Sequence, residues 1–260
     1  MNGLDRRERR RRYQRQQQLK EYGIAAGIML GILLFLGGVS FLGVKLFGIL
    51  TASDTGSSKG KTQTKVESIS EAAKETEAEG IARGISVMID PGHGQRVPGC
   101  VVDDIMEKDI TLAVSLKLRD ELKKNGAKVL MTRKDDSHYP RLKKRGMMAN
   151  RAKVDYFISV HCNSYTEDTS IHGFESYYYD DESVAFSDAL VAAVKADGIV
   201  ALESKYGNFQ VLRDTKMQAV LLEIGYMSNK AELRNMCAED YQAQLAKAIA
   251  KGFCNYITKK

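Results

Sequence analysis

The chain has 260 residues, 43% of them hydrophobic and 28% charged, enough for one medium domain with additional segments. Its formal charge is +6, but the first 20 residues alone hold eight basic and two acidic side chains, while the other 240 hold 31 of each. A basic tail on a neutral body lacks the overall charge excess of a nucleic-acid binder, and no nucleic-acid partner is expected.

The basic tail, residues 1–22, runs into "GIAAGIMLGILLFLGGVSFLGV", Gly23 to Val44, which is 22 residues without a charge. At about 1.5 Å per residue, such a helix crosses a hydrocarbon core of about 30 Å. A cleaved signal peptide normally has a shorter apolar region, about 7–15 residues, and a small-x-small site after it. The nearest candidate here, Leu50–Ser53, is a poor one, so residues 23–50 are predicted to be an uncleaved membrane anchor. The first cysteine is Cys100, so no lipid-modified cysteine follows the apolar run. Arginines before the span predict a single pass with the N-terminus in the cytoplasm and the body outside. Residues 51–84 are rich in Ser, Thr, Lys and Glu and poor in large apolar side chains. They predict a flexible linker, with a short helix at Ser68–Gly80.

From Ile85 the pattern changes. "ISVMID" (85–90) predicts a strand, and "KDITLAVSLKLRDELKKNG" (108–126) a helix that Gly126 stops. "AKVLMTR" (127–133) predicts a strand and "RLKKRGMMANRAK" (141–153) a helix. Strands follow at 155–161 and 173–179, a helix at 182–196, a strand at 219–225 and a closing helix at 238–257. The alternation predicts one α/β domain over 85–260, with a twisted, mostly parallel sheet flanked by helices on both faces.

Three of the most apolar segments end on residues able to bind metal or move protons. His93 follows the first strand, between two glycines. His161 ends "YFISVH", and Glu223 lies near the end of "AVLLEIG". In open α/β sheets, sites form at the carboxyl ends of strands. Glu107 comes 14 residues after His93, in the first turn of a predicted helix. Two histidines and a carboxylate are the usual ligands of a catalytic zinc, and a second carboxylate then remains as a base. A structural role is open for each residue singly. A strand-end histidine often caps or packs, and Glu107 also suits a helix N-terminus. A glutamate inside "VLLEIG" is harder to place that way, because a buried carboxylate needs a cation or hydrogen-bond donors.

Four stretches in order resemble the zinc-dependent N-acetylmuramoyl-L-alanine amidases of the Amidase_3 type. They are "IDPGHG" (89–94), "EKDITLAVSLKLRDEL" (107–122), "ANRAKVDYFISVHCNS" (149–164) and "VLRDTKMQAVLLEIGYMSN" (211–229). The resemblance implies one zinc per chain, held by His93, Glu107 and His161, with Glu223 as catalytic glutamate. Asn163 and Arg213 sit in matching motif positions and are implied as substrate-binding residues. The implied substrate is peptidoglycan, cut between N-acetylmuramic acid and L-alanine; together with the predicted anchor, this places the expected enzyme on the outer side of a bacterial cell membrane. Zinc chemistry suits this bond, since an amide is a poor electrophile and water a poor nucleophile.

Two features depart from the family pattern. Gln218 stands where proline commonly precedes the last strand, and residues 180–206 lack an Arg-Gly pair often found before the fourth block. Two alternatives carry other functions: a membrane-tethered zinc peptidase, and a non-catalytic wall-binding or regulatory protein. The 14-residue gap disfavours the first, because carboxypeptidase-type enzymes usually keep His and Glu only a few residues apart. The intact set of ligands and Glu223 disfavours the second. No regulatory partner is legible. Cys162 adjoins His161 but should point to the other face of its strand. His138 and His172 fall in predicted loops without a role, and "YYY" (177–179) predicts strand packing.

Overall fold

The computed structural model describes residues 80–260, so the basic tail, the predicted anchor and nearly all of the predicted linker lie outside the described residues. Among the described residues, no helix is long and apolar enough to cross a membrane. Ala82 is fully buried in the core, and its N–H donates to Asn125 O at 2.8 Å, so the packed domain begins ahead of Ile85.

The elements in chain order are β1 Ser86–Pro91, β2 Val101–Val102, β3 Ile105–Met106, α1 Glu107–Lys124, β4 Lys128–Met131, α2 Leu142–Ala152 and β5 Tyr156–Asn163. There follow β6 Phe174–Tyr178, α3 Val184–Ala196, β7 Ala201–Tyr206, α4 Gln210–Arg213, β8 Gln218–Tyr226, α5 Lys230–Cys237 and α6 Glu239–Ile257. Helix α1 stops as its sequence predicts: Asn125 caps it, and Gly126 takes a left-handed φ of 89° that costs a glycine little.

Six strands form one sheet in the order β4-β1-β5-β8-β6-β7. The first four are mutually parallel; β6 runs antiparallel to β8, and β7 parallel to β6. The sheet is therefore mostly parallel, with a single reversal between β8 and β6. Alternation along the strands sorts the side chains. Val87, Ile89, Ile158, Val160, Val220 and Leu222 meet Val114 and Leu118 of α1, Leu190 of α3 and Ile249 and Phe253 of α6. The intervening Met88, Phe157, Ala219 and Leu221 meet Ala149 of α2 and Val211 and Leu212 of α4. Both faces are covered, which is why the strands read as nearly continuous apolar runs.

The same alternation sends Asp90, Ser159, His161, Glu175 and Glu223 to the second face, while Cys162 packs into the first. All four cysteines are free. Tyr178 is 98% buried, and Tyr177 packs against the second core, so this tyrosine run serves packing as predicted.

Candidate metal centre

Strands β1 and β5 are neighbours, and so are β5 and β8, all with the same direction. Their carboxyl ends lie side by side and carry His93, His161 and Glu223. His161 and Glu223 are direct register partners. Glu107 arrives from the start of α1. The β2–β3 hairpin brings the chain back before α1, and Glu107 N donates to Cys100 O at 2.9 Å.

One ligand atom from each of His93, Glu107 and His161 lies within 4.8 Å of the other two. His93 Nε2 stands 3.0 Å from Glu107 Oε2, and His161 Nδ1 stands 3.0 Å from Glu107 Oε1. Tetrahedral zinc, with bonds of about 2.0–2.1 Å, sets its ligands about 3.4 Å apart, so small rotations close this set onto one ion. Both Glu107 oxygens are also fixed from behind: Cys100 N donates to Oε2 and Cys162 N to Oε1, each at 2.9 Å. Such outer contacts orient a ligand before the metal arrives. Burial pushes the Glu107 carboxyl up, but hydrogen bonds from His161 and then His93 outweigh it and hold the group well below the usual carboxylate range.

Two glycines make room for this cluster. A Cβ on Gly92 would lie 2.5 Å from the His161 ring, and one on Gly99 would lie 2.4 Å from Glu107 Oε2. The glycine before His93 thus admits the His161 ring. His93 itself has φ 60°, a left-handed backbone that histidine tolerates better than most residues but that its surroundings must enforce. Arg145 enforces it, donating to His93 O at 2.6 Å, to Pro91 O at 2.7 Å and to the Asp90 carboxylate at 2.8 Å. Asp90 is fully buried and also accepts from Thr132 and Ser159. Buried Arg133 ties the same loop to α1, donating to Gly92 O and to Lys108 O. Breaking a buried ion pair by removing one partner typically costs about 3–5 kcal/mol, which indicates how firmly the loop is tied.

Glu223 has a different environment. Its Oε2 is buried and has no hydrogen-bond partner among the described residues. Burial first, then the Glu107 and Glu175 carboxylates, push its carboxyl well above the usual range. A group held this way takes up a proton readily, and it lies one strand from His161. Burial also pushes the Cys162 thiol up, helped by Glu107 and Glu223, and the side chain packs into the core on the other face of the sheet.

Of the two predicted substrate-binding residues, the structure brings Asn163 to the site: its Nδ2 donates to Glu175 Oε2 at 3.2 Å. Arg213 stands on α4, and its guanidinium donates to Asn208 Oδ1 at 2.9 Å rather than to any residue of the cluster. Three groups around the site escaped the sequence analysis: Glu175, Arg145 and the buried Asp90 carboxylate. The signal for the carboxylates was present, since Glu175 in "GFESYYY" and Asp90 in "ISVMID" interrupt apolar strands as Glu223 does.

Comparison with known proteins places this arrangement. Residues 87–255, well over half of the chain, match the Amidase_3 family, described as N-acetylmuramoyl-L-alanine amidase. The probable cell wall amidase LytH of Staphylococcus aureus is 35% identical over 180 residues, which are 68% of this chain and 60% of that protein. An N-acetylmuramoyl-L-alanine amidase structure from Clostridium difficile 630 superposes with a TM-score of 0.65 at 31% identity, over 68% of this chain and 98% of that one. The catalytic domain of CwlV, an N-acetylmuramoyl-L-alanine amidase from Paenibacillus polymyxa, gives a TM-score of 0.63 at 37% identity, over 68% and 99%. The chain belongs to the Amidase_3 family of N-acetylmuramoyl-L-alanine amidases.

Proposed function

We propose that this protein is a membrane-tethered, zinc-dependent enzyme that hydrolyses the amide between N-acetylmuramic acid and L-alanine in peptidoglycan. The observation that carries the chemistry is the pairing of two unlike sites on neighbouring strand ends. One is a preorganised His93–Glu107–His161 cluster, and the other a buried Glu223 oxygen with no partner.

His93 Nε2, His161 Nδ1 and the Glu107 carboxylate would hold the ion. Zinc there would supply Lewis acidity, polarising a carbonyl oxygen and acidifying water. Cys100 N and Cys162 N keep the Glu107 carboxylate aimed while substrate enters and leaves. The imidazoles of His93 and His161 are 24% and 20% exposed, so a bulky glycan–peptide strand can reach the cluster from solvent. Glu223 accepts the attacking water's proton and returns it to the departing amine nitrogen of L-alanine. Its unpartnered oxygen is free for that task.

The bond cut is tested by mass spectrometry of digested peptidoglycan. Stem peptides with a free N-terminal L-alanine and glycans with an intact lactyl group are expected. Peptides opened within the stem would identify a peptidase instead.

The anchor rests on the 22-residue uncharged run at 23–44 and the arginines before it. The full-length protein is expected to stay with membranes through a carbonate wash, and a reporter fused after Lys260 to be active outside the cytoplasm. A soluble species starting near Ser53 would overturn the anchor.

A further inference from the structure

Glu175 is a buried carboxylate on the site face to which the reaction above gives no task. In the antiparallel β6–β8 pair it is the direct register partner of Glu223. Side chains so opposed have Cβ atoms about 4.5–5.5 Å apart, and like charges there are destabilising. The two carboxyls are nevertheless treated in opposite ways. Glu175 accepts from four side chains: Lys205 Nζ, Tyr177 Oη at 2.9 Å, Tyr226 Oη at 3.1 Å and Asn163 Nδ2 at 3.2 Å. Glu223 Oε2 accepts from none among the described residues.

The four donors come from four strands, β7, β6, β8 and β5, and one of them needs an irregularity to arrive. The β5–β8 register shifts between His161, opposite Glu223, and Asn163, opposite Tyr226. Strand β8 has one residue more than β5 over this stretch; Gly225 there has φ 151°, and a Cβ on it would press on Glu232 and Met236. The bulge turns Tyr226 toward Glu175 in place of Gly225.

We propose that Glu175 is a positioning residue that draws these donors, the Lys205 ammonium above all, away from Glu223, so that Glu223 stays free to carry the proton. The inference rests on Glu223 having that role. The Lys205 side chain is 39% exposed, and its ammonium makes a charge-assisted hydrogen bond to the buried Glu175 carboxylate. With Glu175 removed, the carboxylate left opposite is Glu223. A Glu223 paired with Lys205 would be occupied where the attacking water must bind.

The test is made in the full-length protein, reading zinc content, kcat and KM. Glu175→Ala is expected to lower kcat by at least about 10-fold, part of the roughly 10²–10⁴ that a general acid–base group supplies. KM and one zinc per chain should be kept. The double variant Glu175→Ala/Lys205→Met is expected to recover most of that loss, because the intruding ammonium is gone. A purely structural Glu175 gives the reverse, since a second change beside the first adds damage. Glu175→Gln, closer in shape, serves if the alanine variant does not fold, with the same rescue expected. Wild-type kcat in the Glu175 variants, or a double variant no faster than the single, would overturn the proposal. Glu223→Gln in the same series separates the two ideas: if it turns over normally, Glu223 is not the proton carrier and both fall together.

Discussion

Glu223→Gln is expected to lower kcat by about 10²–10⁴ while the protein keeps its zinc, its fold and its affinity for peptidoglycan. Glutamine has nearly the same shape, and Glu223 is not among the three side chains that converge on the candidate metal position. The variant therefore removes a proton acceptor and little else. It even relieves an electrostatic burden, since Glu107 and Glu175 both oppose a charge on Glu223 in a buried place. Stability should be unchanged or slightly higher, and a thermal melt with and without zinc checks that. The loss should fall on kcat rather than KM, because the missing interaction belongs to the transition state. Zinc content and turnover measured on one preparation decide the matter. A variant with normal turnover, or one whose inactivity tracks lost zinc, would sink the role given to Glu223.

Much of this arrangement was legible in the sequence, for a definite reason. Strands β1, β5 and β8 are covered on both faces, so they appear as apolar runs, and the polar residue ending each run stands out. Strand β7, "ALESKY", was not legible. It is an edge strand of half-exposed residues, and nothing in its composition separates it from a loop. Helix α5 was also missed, although its signal exists. Asn229 caps it by accepting from Ala231 and Glu232 N–H groups, a start mark that spacing alone exposes. The eight-residue length hides the helical period. The His93–Glu107–His161 cluster was readable because its members mark strand ends and a helix start. Glu175 was not, because its meaning depends on a partner. Only the reversal of β6 against β8 sets it opposite Glu223, and no spacing along the chain encodes which strands become neighbours.

Glu107→Gln is expected to behave unlike Glu223→Gln, with zinc and activity lost together. Glu107 is 4% exposed, and its two oxygens meet four groups: His93 Nε2, His161 Nδ1, Cys100 N and Cys162 N. A carboxylate serves all four as an acceptor. An amide has one oxygen and one NH2, so it turns a donor toward one of the two backbone N–H groups whichever way it lies. The side chain then cannot keep its place, and the negative charge that favours a dication is gone. Loss of an outer contact alone typically weakens metal binding about 10–100-fold, so loss of a direct ligand should exceed about 100-fold. Competition with a chelator measures this, and activity should return in part when zinc is raised. His161→Ala should show the same joint loss, since its Nδ1 is the proposed ligand atom and faces Glu107 Oε1. The contrast among the variants is the informative result. Zinc-free protein from Glu107→Gln and His161→Ala, beside zinc-loaded but slow Glu223→Gln, assigns ligand and proton carrier separately. Full zinc occupancy in Glu107→Gln at wild-type affinity would remove Glu107 from the ligand set.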